Sequence, residues 1–243
     1  MIKRLRIFAG PNGSGKSTLI DILPKKLLGV YVNPDQIEKS MRENDGIIDF
    51  QKYNISLNKQ KFESFISNSF FEIKVDDFKY VENGIDFQYV NSYIASIISS
   101  YIRDELLEFG ASFTFETVMS SDDKIDFLKK AQNLGFKTYL YFIATDDPDI
   151  NISRVQNRVK DGGHDVPEDK IISRYYRTLK NLKKAVKYSD RAFIFDNSSE
   201  KRSFICEVEK AKNVEIKVDK VPSWFNKYFI QETIWKKHYL VWH

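Results

Sequence analysis

Gly10-Pro11-Asn12-Gly13-Ser14-Gly15-Lys16-Ser17 is the stretch on which the fold turns. It fits the pattern G-x-x-x-x-G-K-[ST] at every fixed position. Glycines let the chain curl so that successive backbone N–H groups converge on phosphate oxygens. A helix that follows such a turn points its positive end at the same anion. In this pattern Lys16 reaches the β- and γ-phosphates, and the Ser17 hydroxyl is a Mg²⁺ ligand. Residues Gly10 to Thr18 are therefore the expected nucleotide cradle, for ATP or GTP with Mg²⁺.

The surroundings agree with that reading. The apolar run Leu5-Arg-Ile-Phe-Ala9 leads into the turn, and a helical pattern starts at Lys16 and meets Pro24. Further β-rich runs follow at Gly29–Asn33, Ser112–Glu116, Thr138–Ala144 and Ala192–Asp196. Val214–Val218 alternates strictly and reads as an edge strand with one wet face. Helical patterns fill the gaps. Val90–Phe109 has an apolar stripe and Gly110 beyond it. Asp147-Pro148 opens a helix to about Lys160, and another runs from about Pro167 to Tyr188. Strands alternating with helices predict an α/β fold with a doubly wound, mainly parallel sheet of about five strands.

Two stretches break the rhythm. Residues 45–90 are polar and aromatic with weak periodicity, and read as a mostly helical insertion. From Pro222 onward the chain holds all three tryptophans. Such a tail either packs on the core or offers a partner or dimer surface. The expected organisation is one domain over 1–221 with an aromatic tail over 222–243.

Composition narrows the partners. The 243 residues carry 38 Lys+Arg and 34 Asp+Glu, a net charge of +4. So small an excess argues against a nucleic-acid binder. One cysteine, Cys206, precludes an internal disulfide, and the three histidines lie far apart. No apolar run reaches the roughly 20 residues of a membrane helix. A cytoplasmic protein is the expectation. An ABC-type ATPase would need a Ser-Gly-Gly-Gln-like segment and a Ras-like GTPase an Asn-Lys-x-Asp base reader, and neither occurs.

Ligands of open α/β sheets lie beyond the carboxyl ends of the strands. Asp35, after Asn33-Pro34, is thus a candidate base for an acceptor hydroxyl, or a helix cap, or both. Glu116 and Thr117 end a strand and offer an acceptor and a hydroxyl to a polar substrate or to Mg²⁺-bound water. Arg154 and Arg158 share one helix face, which suits a transferring phosphoryl group. His164, in Gly162-Gly-His-Asp-Val-Pro167, sits in a glycine-hinged loop of lid type. Asn197, in Asp196-Asn-Ser198, is placed for the adenine or for an Asx turn.

In this order the phosphate loop, Asn33-Pro-Asp35, Phe113-Thr-Phe-Glu-Thr117, Arg154-Val-Gln-Asn-Arg-Val159, Gly162–Pro167, Arg174-Tyr-Tyr-Arg177 and Asp196-Asn-Ser198 resemble the zeta-toxin-like P-loop kinases. The resemblance spans about residues 3–200 outside the insertion. It implies a P-loop kinase core, ATP as the nucleotide, and phosphorylation of a hydroxyl of a UDP-sugar such as UDP-N-acetylglucosamine. It further implies Asp35 as the base, Lys16 on the phosphates, Glu116 and Thr117 on the sugar nucleotide, and Arg154 or Arg158 on the transferring phosphate. An antitoxin-like or self partner is a corollary. The alternative is a regulatory ATP-binding protein that acts through a protein partner.

Overall fold

The computed structural model describes residues 2–21, 23–67, 73–163, 165–231 and 240–242. Packing divides the chain into two units, Met1–Leu27 with Glu116–His243, and Leu28–Phe115.

The first unit is built on a sheet. β1 (Arg4–Ala9), β7 (Lys137–Ala144) and β8 (Arg191–Asp196) run parallel, with Ile7 beside Leu140 and Leu140 beside Ala192. β9 (Ser203–Glu209) pairs antiparallel with β8, and β10 (Asn213–Ile216) antiparallel with β9. β11 (Leu240–Trp242) pairs parallel with β10. The edge-strand reading of 214–218 is thereby corrected, because a neighbour some 25 residues away in sequence covers β10 and no local signal announces it. The one-faced burial did hold, with Val214 and Ile216 buried and Glu215 half-buried.

Helices α1 (Lys16–Ile20), α6 (Asp123–Asn133), α7 (Pro148–Lys160) and α8 (Glu168–Lys187) belong to this unit. α7 starts where Asp147 accepts from the Asp149 N–H and Pro148 fills the first turn. α8 buries Ile171, Tyr175, Leu179, Leu182 and Val186, an i, i+4, i+8, i+11, i+15 stripe. Truncating Leu182 within it costs about 2–5 kcal/mol. Trp224, Phe225, Tyr228 and Phe229 of the C-terminal segment are buried, with Trp224 against Phe142 at 6.1 Å between ring centroids. These four aromatic residues of the tail therefore pack on the core.

The second unit holds β2 (Val30–Val32), paired parallel with β6 (Phe113–Thr117), the strand whose last two residues belong to the first unit. It also contains α3 (Pro34–Glu43) and α5 (Ser92–Phe109), capped by Asn91 and ended by Gly110. Residues 45–90 were expected to be mostly helical. The described residues among them form one α-helix, α4 (Lys59–Ser67), two short 3-10 turns, and a three-stranded antiparallel sheet of β3 (Ile47–Asp49), β5 (Gly84–Phe87) and β4 (Phe78–Val81), in that order. The hairpin of β4 and β5 turns at Glu82-Asn83, with Asn83 at φ 58°. Tertiary packing decides here. Tyr101 on α5 meets Phe50 and Phe62 edge-on at 5.6 and 5.0 Å, and Phe62 meets Phe78 at 5.6 Å. Short strands with mixed polar and aromatic residues carry too little period-2 signal to be read alone.

Candidate active site at the phosphate loop

The loop after β1 folds as its sequence requires. Gly13 (φ +72°) and Gly15 (φ +92°) adopt the left-handed region, and a Cβ would stand 2.6 Å from the Asn151 carbonyl oxygen and 2.4 Å from Asn197 Nδ2 respectively. The Ser14 N–H donates to Pro11 O at 3.2 Å, and the Gly10 N–H to Thr117 O at 3.3 Å. The Lys16 ammonium lies back across the loop, donating to Gly10 O and Pro11 O, both at 2.9 Å. Its charge is therefore held over the concave side of the turn that opens α1.

Ser17 and Glu116 meet at the same place. The Ser17 hydroxyl donates to Glu116 Oε2 at 3.2 Å, although the residues are 99 apart in sequence. Glu116 is 7% exposed, and Ser17 is exposed. A hydroxyl beside a carboxylate is the hard-oxygen donor set that suits Mg²⁺ shared with nucleotide phosphates and water. These residues fit the ion that the loop implies. No cluster of three or more His, Cys, Asp or Glu with metal-binding geometry occurs among the described residues. Thr117 ends the strand that carries Glu116. Its Oγ1 accepts from the Met119 N–H at 3.1 Å and shapes the turn after β6.

Two asparagines brace the loop from outside. Asn151, fully buried on α7, donates from Nδ2 to Asn12 O at 2.6 Å. Its Oδ1 accepts from the Thr145 hydroxyl, and Thr145 O in turn accepts from Tyr175 Oη at 2.6 Å. Asn197 donates from Nδ2 to Ser14 O at 2.9 Å. Asp196-Asn-Ser198 forms the Asx turn expected of it, the Ser198 N–H donating to Asp196 Oδ2 at 3.2 Å, and the Asn197 side chain also holds the loop. Asn151 was missed, since a lone asparagine in the first turn of a helix carries no motif. Thr18 donates to Gly15 O at 2.9 Å and accepts from Arg202 Nη1 at 3.4 Å, which brings a second unforeseen residue to this region.

Arg154 and Arg158 follow Asn151 on α7 at spacings of three and seven, so all three share a face. Nη1 of Arg154 is buried and has no hydrogen-bond partner among the described residues. A buried guanidinium nitrogen in that state is strongly favoured to meet an anion. Asn12 Oδ1 and Ser14 Oγ are also buried without partners among the described residues. His164 lies outside the described residues.

Asp35 belongs to the second unit. It stands exposed in the first turn of α3. Asn33, not Asp35, caps that helix, its Oδ1 accepting from the Asp35 N–H at 2.8 Å and the Gln36 N–H at 3.3 Å. The Asp35 carboxylate is thus released from capping, and of the two roles read from sequence the cap falls to its neighbour.

The family described as Zeta toxin matches residues 86–206, a span that begins beyond the phosphate loop. A Haemophilus influenzae protein described as uncharacterized is 36% identical over 63 residues, 26% of this chain and 45% of its own length. Among solved structures, a chain of the AvrRxo1-ORF1:-ORF2 complex with ATP superposes with a TM-score of 0.55 at 14% identity, over 96% of this chain and 65% of that one. A chain of the PezAT chromosomal toxin-antitoxin system of Streptococcus pneumoniae gives 0.50 at 16% identity, over 98% and 82%. This chain thus spans less than two thirds of the AvrRxo1 chain and less than half of the Haemophilus protein. At such identities the structural likeness shows the fold alone, an α/β core, and the family described as Zeta toxin is what residues 86–206 are similar to.

Proposed function

We propose that this zeta-toxin-like chain is an ATP-dependent phosphotransferase. It moves the γ-phosphoryl group of Mg-ATP to a hydroxyl of a small molecule, of the UDP-N-acetylglucosamine kind. The observation that carries the reading is the assembled phosphate loop, with Lys16 across its carbonyls and Ser17 bonded to Glu116. The zeta toxin match and the AvrRxo1 complex with ATP support it.

In this reading the backbone N–H groups of residues 13 and 15–17 and the Lys16 ammonium bind the β- and γ-phosphates. Ser17 and Glu116 would hold Mg²⁺, Glu116 directly or through water. The ion supplies charge neutralisation on the phosphates. Arg154, whose buried Nη1 has no described partner, and Arg158 bind the transferring group. Asp35 takes the proton of the acceptor hydroxyl. The hydroxyl oxygen bonds to the γ-phosphorus as the bond from that phosphorus to the bridging oxygen breaks, and ADP leaves. Thr117 and Glu116 contact the acceptor, and His164 belongs to the lid. The PezAT system named above is a toxin-antitoxin pair, which supports an antitoxin-like protein partner for this chain as well. No helix of the described residues is long and apolar enough to cross a membrane. A cytoplasmic location belongs to this proposal.

The test is mass spectrometry of protein incubated with Mg-ATP and a panel of UDP-sugars, nucleosides and small alcohols. One acceptor should gain a single phosphoryl group, and Asp35→Asn should abolish the product while ADP binding survives. Normal transfer by Asp35→Asn removes that residue's role. ADP formation with no phosphorylated acceptor removes the kinase reading.

A further inference from the structure

Of the two asparagines that brace the phosphate loop, Asn151 lies on α7 and Asn197 follows β8; Ser223 and Trp224 of the C-terminal segment fasten the turn before α7, and Trp224 also fastens the end of β8. Asp146 leaves β7 on the way to α7, which carries Asn151. Its Oδ1 accepts from Ser223 Oγ at 2.7 Å and from the Trp224 N–H at 3.1 Å. Asp196 ends β8 immediately before Asn197. Its Oδ1 accepts from the Trp224 indole Nε1–H at 2.9 Å and from Ser198 Oγ at 2.7 Å. Ser198 Oγ also accepts from the Asp146 N–H at 2.9 Å, which ties the two loops directly. Trp224 is 2% exposed and Asp196 9%, so the indole bond between them is shielded from water, whereas Asp146 and its bond from Ser223 are exposed.

We propose that Ser223 and Trp224 are positioning residues of the nucleotide site. Trp224 holds Asp196, which orients Asn197 and through it the Ser14 carbonyl. Ser223 holds Asp146, which orients the start of α7 and through Asn151 the Asn12 carbonyl. Because each peptide unit is rigid, fixing these two carbonyls fixes the direction of the N–H groups that face a phosphate. The segment after Pro222 is in this view part of the nucleotide site's frame, more than 200 residues from the loop it steadies. The inference rests on the reading of that loop as a nucleotide site.

The indole does two separable things. Its ring fills an apolar slot against Phe142 and Phe225, and its N–H binds a carboxylate. Trp224→Phe keeps a ring and removes the donor. The experiment measures Mg-ADP affinity by titration calorimetry for the full chain, Trp224→Phe, Asn197→Ala and the double variant, with KM for ATP and kcat alongside. Trp224→Phe should weaken Mg-ADP about tenfold, raise KM for ATP and leave kcat near its original value. The double variant should bind no more weakly than Asn197→Ala, because the indole acts through that side chain. Unchanged Mg-ADP affinity in Trp224→Phe, even with a lowered melting temperature, overturns the proposal, as does a loss that adds in full to that of Asn197→Ala. Should Trp224→Phe fail to fold, Ser223→Ala paired with Asn151→Ala tests the other arm with the same two outcomes. Failure of the unmodified chain to bind Mg-ADP overturns the nucleotide reading itself, and that result is distinct from either.

Discussion

The hydroxyl of Ser17 donates to the carboxylate of Glu116 at 3.2 Å, joining the first turn of α1 to the end of β6. This pairing gives the phosphate loop a carboxylate that its motif does not contain. If both oxygens serve Mg²⁺, Glu116→Gln keeps the shape and weakens the charge on the ion. The Mg²⁺ concentration for half-maximal turnover should then rise about tenfold at fixed ATP. A Mg²⁺ titration of the variant decides the matter, since a role confined to the acceptor would raise acceptor KM and leave the Mg²⁺ dependence alone.

Gly15 meets two demands at once. Its φ of +92° is strained for any other residue, and a Cβ there would stand 2.4 Å from Asn197 Nδ2, the group that holds Ser14 O. Gly15→Ala should abolish measurable Mg-ADP binding and lower stability by about 1–3 kcal/mol. Calorimetric titration and thermal melting check the two effects separately.

Asn33 accepts two N–H groups at the start of α3 and is 8% exposed. Loss of the cap in Asn33→Ala should cost about 1 kcal/mol and lower the melting temperature by about 2–4 °C. Because the cap also sets the first turn on which Asp35 stands, phosphoryl transfer should fall more than stability does. Asn33→Asp, which keeps the acceptor, should recover most of both losses.

Cys206 is fully buried on β9, and burial pushes its thiol up to about 12. The thiolate is the reactive form, so near pH 8 its population should lie about a thousandfold below that of an ordinary exposed cysteine. Iodoacetamide should leave the folded protein unlabelled and react promptly after unfolding in guanidinium chloride. Labelling of the native protein at an ordinary rate would show that β9 opens readily.

How much of this was readable in the chain varies from element to element. β1, the phosphate loop and α1 were legible because steric demands at Gly13 and Gly15 and the converging N–H groups act within a few residues. α5 was legible from its stripe and from Gly110, which ends it at φ 78°. The sheet of β3, β4 and β5 was not, since its strands are held by rings of α4 and α5 that a local pattern cannot display. The same holds for β9, whose partner β8 precedes it and gives no hint of an antiparallel return. In the site, Lys16 and Ser17 came directly from the motif. Asn151 did not, because one buried amide acquires meaning only when Asn12 O comes within 2.6 Å.

The sequence by itself determined a phosphate loop between a strand and a helix, and hence a nucleotide-binding α/β core, because that motif is a local geometry imposed by glycine and by helix polarity. Only the tertiary structure decided which distant groups serve the loop. Glu116 beside Ser17, Asn197 beneath Ser14 and Trp224 behind Asp196 are pairings across 99, 183 and 28 residues. Hydrogen bonds of that separation form only once the sheet has set the ends of its strands side by side. Their partners are therefore fixed by packing and not by any pattern along the chain.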